Sequence, residues 1–358
     1  MTGSWWTYLV VMVGCSLLSA GITRSAHSWG RIRTKMQTQP QSLALDTRLI
    51  SSISILISFL LAVPLSSLLH PFVVGGEHLY LVLVVASSLL LIGLVHDLFS
   101  MLPTWHIGAL VSGGVVIWSI GDGIALQEQL PTAATLILTV LWFVIVPTAF
   151  KQLDASERLA AGIAILIGLG LFALAMMNLQ PRLATCAIGL VGSNLGVLVQ
   201  PRYSARPHLG AGGALLDGFV IAYIALMLYP QQVSTSVLFV LVSALIPLLL
   251  CLVPLINIVT TLFATILRIF DNSNTMPSSI NSLLSVVISR ESFSTVLIFL
   301  GVSVTSLVAI ILNGINSTVG LTIGLLTVFT YVTFTIFLLC HSLRRQVDGQ
   351  SQMRADTL

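Results

Sequence analysis

Charged residues are scarce in this sequence. Asp, Glu, Lys and Arg make up 8% of its 358 residues, whereas 56% are hydrophobic. Soluble domains carry roughly 25% charged residues, because a surface that faces water must be largely polar. The mean hydropathy of +1.03 points the same way. The composition therefore excludes an ordinary water-soluble protein, and lipid is the expected solvent for most of the chain.

A nucleic-acid partner is also excluded, because the sequence has no run of Lys and Arg with interleaved aromatic residues and its net charge is only +3. The opening residues, Met-Thr-Gly-Ser-Trp-Trp, lack the basic start of a cleaved signal peptide. We therefore expect the first hydrophobic segment to be retained. The four cysteines show no CxxC spacing and lie in apolar stretches, where buried small hydrophobic residues are expected rather than disulfides or a zinc site. They are Cys15, Cys186, Cys251 and Cys340.

Long hydrophobic runs dominate the remainder. A hydrocarbon core about 30 Å thick needs about 20 apolar residues in a helix. Helices are required because the backbone must satisfy its own hydrogen bonds in lipid. Eleven runs qualify, and 255–267 is expected to continue the ninth helix past the membrane surface. The runs are 5–22, 49–69, 79–95, 105–121, 132–150, 159–178, 182–199, 213–229, 235–254, 294–313 and 318–340.

The basic residues give an independent test of this topology. Fourteen of the fifteen fall on one side of the predicted membrane, and only Arg182 falls on the other. The positive-inside rule then places the N-terminus outside and the C-terminus in the cytoplasm. The predicted architecture is all-α, with one transmembrane domain over 1–340 and a polar cytoplasmic tail over 341–358. The expected location is the inner (plasma) membrane.

Two acidic positions stand near predicted cytoplasmic helix ends. His96 and Asp97 close the third helix, and Asp154 follows the fifth. A carboxylate at the membrane surface can bind a hydrated cation or a phosphate-bound Mg²⁺. The alternative is a solvated interfacial charge, with a helix-capping role for Asp154.

A glycine cluster, Gly210-Ala211-Gly212-Gly213, opens the eighth helix. Free backbone N–H groups and the helix dipole make such a start a phosphate-binding candidate, and the alternative is a tight turn with close helix packing. Asp217 lies further in, where a carboxylate is costly in lipid, so it should face the bundle interior. Asn194 in the seventh helix needs a partner, either another helix or a ligand.

The order of these sites resembles the polyprenyl-phosphate N-acetylhexosamine-1-phosphate transferases, a glycosyltransferase family 4-like group. The resemblance extends from about residue 85 to about residue 300. Its motifs are Leu91-Ile92-Gly93, Phe150 to Asp154, Asn194-Leu195-Gly196, and Leu209-Gly210 to Gly218-Phe219. It implies a helical membrane fold with a cytoplasmic active site. It also implies transfer of a sugar-1-phosphate from a UDP-sugar to a polyprenyl phosphate with Mg²⁺, as in peptidoglycan and other cell-wall lipid intermediates.

The catalytic motifs depart from the family pattern. Its adjacent aspartates read His96-Asp97 here, and its Asn-x-x-Asp reads Lys151-Gln152-Leu153-Asp154. The carboxylate of its Gly-Asp-x-Gly-Ser is replaced by Ala211. Its histidine motif falls on Ser279-Ile280-Asn281-Ser282, and its first-loop Pro-x-x-Gly-Gly on Pro40 to Ala44.

These replacements remove negative charge from the expected metal site. Mg²⁺ stabilises the charge that develops when two phosphates meet, and Asp97 and Asp154 are its remaining candidate ligands. A lysine at 151 opposes metal binding by Coulomb repulsion but can bind a phosphate directly. The resemblance thus makes His96, Asp97 and Asp154 the candidate catalytic residues. The candidate phosphate-binding residues are Lys151, Asn194, Gly210, Gly212 and Gly213.

Three functions follow. The first is a pseudoenzyme that keeps the fold and a groove for lipid phosphate or nucleotide sugar, and assists an active transferase or another envelope-assembly protein. The second is a divergent, active sugar-1-phosphate transferase that uses His96, Asp97 and Asp154. The third is a transporter or lipid-handling protein without phosphotransfer, which would require a continuous polar pathway across the membrane.

Overall fold

The structure is a computed structural model that describes residues 5–34, 40–69, 77–99, 104–124, 131–156, 158–199, 208–228, 237–271, 291–314 and 317–356. Within these ranges the chain is helical and contains no strand, which confirms the all-α prediction. Twelve helices are described in these ranges. They are α1 (Trp5–Thr34), α2 (Pro40–Leu69), α3 (Glu77–Phe99), α4 (Thr104–Ser119), α5 (Thr132–Leu153), α6 (Leu159–Met177), α7 (Pro181–Leu198), α8 (Gly210–Met227), α9 (Val237–Leu250), α10 (Leu252–Asp271), α11 (Glu291–Leu312) and α12 (Ser317–Asp356).

These helices have the lengths and composition of membrane spans. In the described part of the chain, nine are long and apolar enough to cross a bilayer, and a bent pair adds a tenth candidate. The shorter apolar helix Trp105–Ser119 corresponds to the predicted span 105–121. The protein is therefore a multi-pass membrane protein. Which side each end faces stays a prediction.

The expectation for residues 255–267 is wrong. They do not extend the ninth helix in a straight line, because the axes of Ala244–Leu250 and Leu252–Thr265 differ in direction by 67°. The break falls at Cys251, with Pro247 inside α9. Proline removes a backbone hydrogen bond and clashes with the preceding turn, which explains a bend here.

Helix α12 passes beyond the predicted end of the transmembrane domain. Its backbone is helical from Ser317 to Asp356, so the predicted tail 341–358 begins within this helix. The described cysteines Cys15, Cys186 and Cys251 are free and buried, as the sequence predicted.

Helix α8 forms the centre of the bundle. In its membrane window 94% of the residues are buried, compared with 17% for Thr318–Leu338 of α12. Helices α2, α3, α5 and α6 pack around α8, and α7 joins α6 to α1. The N-terminus of α8 therefore lies where the ends of several helices meet, and this junction positions the candidate site.

Candidate functional site

The N-terminus of α8 brings the two candidate carboxylates together. The Leu209 and Gly210 amides donate to Asp154 Oδ1 and Oδ2 at 2.7 and 3.0 Å. The next amide, of Ala211, donates to Asp97 Oδ2 at 2.8 Å. The first turn of a helix has unpaired N–H groups and a partial positive charge, both of which favour carboxylates. Asp97 and Asp154 thus cap α8 from two different helix ends.

Ser52 of α2 completes this cap. Its hydroxyl donates to the Leu209 carbonyl at 2.7 Å and accepts from the Gly213 amide at 3.2 Å. The side chain is fully buried. The amides of Gly210 and Gly213, which the sequence proposed for phosphate binding, therefore already donate to protein side chains. A phosphate could reach these amides only by displacing Asp154 or Ser52.

The glycines at this helix start serve backbone geometry and packing. Gly210 has a φ of +77°, a conformation that residues with a Cβ rarely adopt. A Cβ on Gly93 of α3 would lie 2.4 Å from Gly212 Cα, and a Cβ on Gly212 would lie 2.7 Å from the Leu90 carbonyl oxygen. Helices α3 and α8 thus approach each other at a pair of glycines. This contact holds Asp97 next to the Ala211 amide.

Asp154 lies in an environment that disfavours its charge. Burial raises its pKa to about 6, although the amide bonds from Leu209 and Gly210 and the positive charges of His208 and Arg48 act in the opposite direction. His208 also donates from Nδ1 to the Asp154 backbone oxygen at 2.7 Å. The loop before α8 is thus fastened to Asp154 through both its side chain and its main chain.

Lys151 does not pair with Asp154 as the sequence suggested. It reaches His106 of α4, with its Nζ 3.4 Å from each imidazole nitrogen. Its described electrostatic partner is Asp97. The rings of His106 and His96 meet edge to face, with centroids 5.5 Å apart. The structure therefore assembles a second polar group, of two histidines and a lysine, beside the carboxylates.

A cavity of about 650 Å³ opens next to this group, between α3 and α4. His96 and His106 line its polar end, and the rest of its wall is mostly apolar or small. The remaining lining residues are Leu91, Ile92, Val95, Trp105, Gly108, Ala109 and Ser112.

Asn194 lies apart from these groups, within the core. Its Nδ2 donates to the Leu190 carbonyl of its own helix at 3.0 Å. Asp217 is also fully buried and interacts electrostatically with Asn194 and Asp154. The prediction that Asp217 faces the bundle interior is confirmed. A direct ligand contact at Asn194 stays a prediction.

A resident Mg²⁺ fits this donor set poorly. Three of the four oxygens of Asp97 and Asp154 accept backbone N–H bonds, and the fourth, Asp97 Oδ1, lies 3.9 Å from His96 Nδ1. Ala211 stands where the family pattern has a third carboxylate. No group of three or more His, Cys, Asp or Glu side chains able to hold a metal ion occurs among the described residues. The histidine-motif counterpart, Ser279 to Ser282, lies outside the described residues.

Sequence reasoning missed three contributors to this region: Ser52, His106 and His208. Ser52 is separated from its partner Leu209 by 157 positions, and serines are frequent in α2, so no local pattern marked it. His106 offered a clearer signal, because an imidazole in the first turn of an apolar span needs a partner at the membrane surface. His208, directly before the glycine cluster, was visible as a titratable group at a helix start.

Comparisons with known proteins agree with the motifs. Residues 79–229, which include α3, α5, α8 and the two carboxylates, match the sequence model of glycosyl transferase family 4. The chain is 35% identical over 91 residues to the phospho-N-acetylmuramoyl-pentapeptide-transferase of Moorella thermoacetica, a match that covers 25% of this chain and 29% of that protein. It is 29% identical over 137 residues to a probable undecaprenyl-phosphate N-acetylglucosaminyl 1-phosphate transferase of Bacillus subtilis, covering 37% and 35% of the two chains.

The chain thus spans about a third of the length of these curated relatives. The matches fall on the segment that builds the capped helix start and the neighbouring histidine–lysine group. The resemblance that the motifs predicted is therefore confirmed: over its central segment the chain resembles glycosyl transferase family 4.

Proposed function

We infer that this protein is a membrane relative of the polyprenyl-phosphate sugar-1-phosphate transferases that retains ligand binding but has lost most of its turnover. Its ligands are a polyprenyl phosphate and a nucleotide sugar, and its place is the plasma membrane. There it assists or regulates an active transferase, or another protein that assembles cell-envelope polysaccharide. The observation that carries this proposal is the use of Asp97 and Asp154 as caps of α8.

The cap weakens metal binding for an electrostatic reason. The carboxylate charge is already balanced by the amides and partial positive charge of the helix start, so less of it is left for a cation. Lys151 adds a positive charge that interacts with Asp97. Ala211 supplies no ligand. Since Mg²⁺ neutralises the charge between two phosphates in this reaction class, its weak binding would leave the transfer step slow.

The direct test is UMP release. Purified protein is incubated with polyprenyl phosphate, Mg²⁺ and a panel of UDP-sugars, next to an active transferase as a positive control. We expect no sustained UMP release from this protein under conditions in which the control turns over. Sustained release that is lost in Asp97→Asn or Asp154→Asn would contradict the proposal and establish an active transferase.

A metal titration tests the electrostatic cause. Replacing Lys151 by Asn removes the cation near Asp97 and restores the residue of the family pattern, so the variant should bind Mg²⁺ more tightly. Arg182→Asn is the matched control, because it removes the same charge from an exposed residue at the other predicted membrane face. Equal Mg²⁺ affinity in the wild type and Lys151→Asn would show that Lys151 is not what weakens the metal site.

An active, divergent transferase is the second candidate function. It is favoured by one observation, that consecutive amides of α8 bring Asp97 and Asp154 to the same point. If ligand binding displaced these caps, both carboxylates would face the ligand together. The UMP assay with the two asparagine variants decides between the two functions.

A further inference from the structure

The cavity between α3 and α4 has the form of a furrow that opens toward lipid. Its α4 side carries small residues, Gly108, Ala109 and Ser112, which leave room beside the helix. Leu91 and Trp105 on its walls are 56% and 67% exposed. In a helix that crosses a bilayer, such exposure means contact with lipid tails. The furrow is therefore accessible from the membrane.

One end of the furrow is polar and rich in nitrogen. His96 Nδ1 is buried without a hydrogen-bond partner, and His106 is 5% exposed. Lys151 contacts His106 but has three N–H groups, so donors remain after that contact. The neighbouring carboxylate of Asp97 is turned to the Ala211 amide. This end therefore offers hydrogen-bond donors and a positive charge to an anion.

We propose that this furrow is the binding site of a polyprenyl phosphate, with the prenyl chain between α3 and α4 and the phosphate against His96, His106 and Lys151. The assignment rests on the proposed function for the choice of a prenyl lipid. The apolar lining and the cationic end match the two parts of such a molecule. A single furrow between two helices suits one chain, and a terminal phosphate offers more anionic oxygens than the phosphodiester of an ordinary phospholipid.

The chain-binding part is tested by filling the furrow. A Cβ on Gly108 would meet no heavy atom within 4 Å, so Gly108→Leu can enter the space without moving the backbone. Gly21→Leu on α1 is the matched control, because Gly21 is also exposed and has nothing within 4 Å of a Cβ. Binding of a photoreactive polyprenyl phosphate is measured in detergent without any nucleotide sugar. We expect Gly108→Leu to weaken binding by about tenfold or more and Gly21→Leu to bind as the wild type does.

The head-group part is tested with Lys151→Gln and with the uncharged polyprenol. Loss of the ammonium should weaken polyprenyl phosphate binding by about tenfold, whereas polyprenol binding should not change. Lys151→Arg, which keeps the charge, should recover part of the affinity. Equal loss for both lipids in Lys151→Gln would contradict a phosphate contact.

The outcomes separate this site from the proposed function. If the wild type binds polyprenyl phosphate but Gly108→Leu binds equally well, the lipid lies elsewhere, and the furrow assignment is overturned while the proposed function stands. If phosphatidic acid displaces the probe as well as polyprenyl phosphate does, the site is a general phospholipid site and the assignment is overturned. If the protein releases UMP, the loss of turnover is disproved, but the Gly108→Leu result still decides the site.

Discussion

His96 and Asp97 are consecutive residues of α3, yet they belong to two regions with opposite character. Asp97 faces α8, where the amide of Ala211 saturates one of its oxygens. His96 faces the furrow toward α4, where its Nδ1 has no partner. On the α8 side nearly every polar group is paired, whereas on the α4 side nitrogen donors border open space.

This difference separates a structural role from a binding role. A region whose polar groups are satisfied within the protein stabilises the fold and offers little to a ligand. A region with unpaired donors next to a cavity is typical of a binding site. The acidic residues that the family resemblance singles out therefore stabilise the start of α8, and the neighbouring histidines and lysine are the available ligand-binding groups.

The largest predicted effect comes from breaking the contact of α3 with α8. A Cβ on Gly93 would lie 2.4 Å from Gly212 Cα, which is main chain and cannot rotate away. Gly93→Val should therefore force the helices apart and cost about 3 kcal/mol or more. Thermal unfolding and size-exclusion chromatography in detergent measure this loss. Gly108→Val on the furrow side is the control and should unfold as the wild type does.

Removing the cap should have the next largest effect. Asp154→Ala leaves the Leu209 and Gly210 amides without their partner, at a cost of about 2–3 kcal/mol. Asp97→Ala, which frees only the Ala211 amide, should cost roughly half as much. Thermal unfolding midpoints of both variants provide the measurement. Equal midpoints for Asp154→Ala and the wild type would show that the carboxylates do not stabilise α8.

A smaller effect is expected from the hydroxyl that joins α2 to the cap. Ser52→Ala removes one donor to Leu209 and one acceptor for Gly213, both buried, and should cost about 2 kcal/mol. Ser88→Ala is the matched control, because Ser88 is exposed and bonds only to the Val85 carbonyl one turn earlier. A similar small shift in both unfolding midpoints would contradict the role of Ser52 in the cap.

Much of the helical fold could be predicted from the sequence, because lipid forces long apolar runs into helices. The predicted span 159–178 corresponds to α6, for example. The bend at Cys251 was missed because hydropathy does not register direction. Pro247 and Pro254 were the available signals.

The candidate site could be predicted only in part. Asp97 and Asp154 were correctly placed at helix ends, because charges concentrate at the membrane surface. Their partners are set by tertiary packing. The Ala211 amide is 114 positions from Asp97, and no local pattern connects the two. Lys151 was assigned to Asp154 by sequence proximity, whereas packing of α5 against α4 brings it to His106.

The smallest predicted effect is a pH dependence on the capped side. The pKa of Asp154 is raised from 3.8 to about 6 by burial, so the folded state binds a proton more tightly than the unfolded state. Its contribution to stability is then fully present below pH 3.8 and is lost as the pH rises through about 6. After allowance for solvent screening, the loss is about 1 kcal/mol. The wild type should therefore lose unfolding temperature relative to Asp154→Asn between pH 4 and pH 6. Since Arg48 and His208 remain in both proteins, their own titration largely cancels in this difference. A difference that stays constant across this range would mean that Asp154 is as well solvated as an exposed carboxylate, and the contrast between the capped side and the furrow would lose its electrostatic basis.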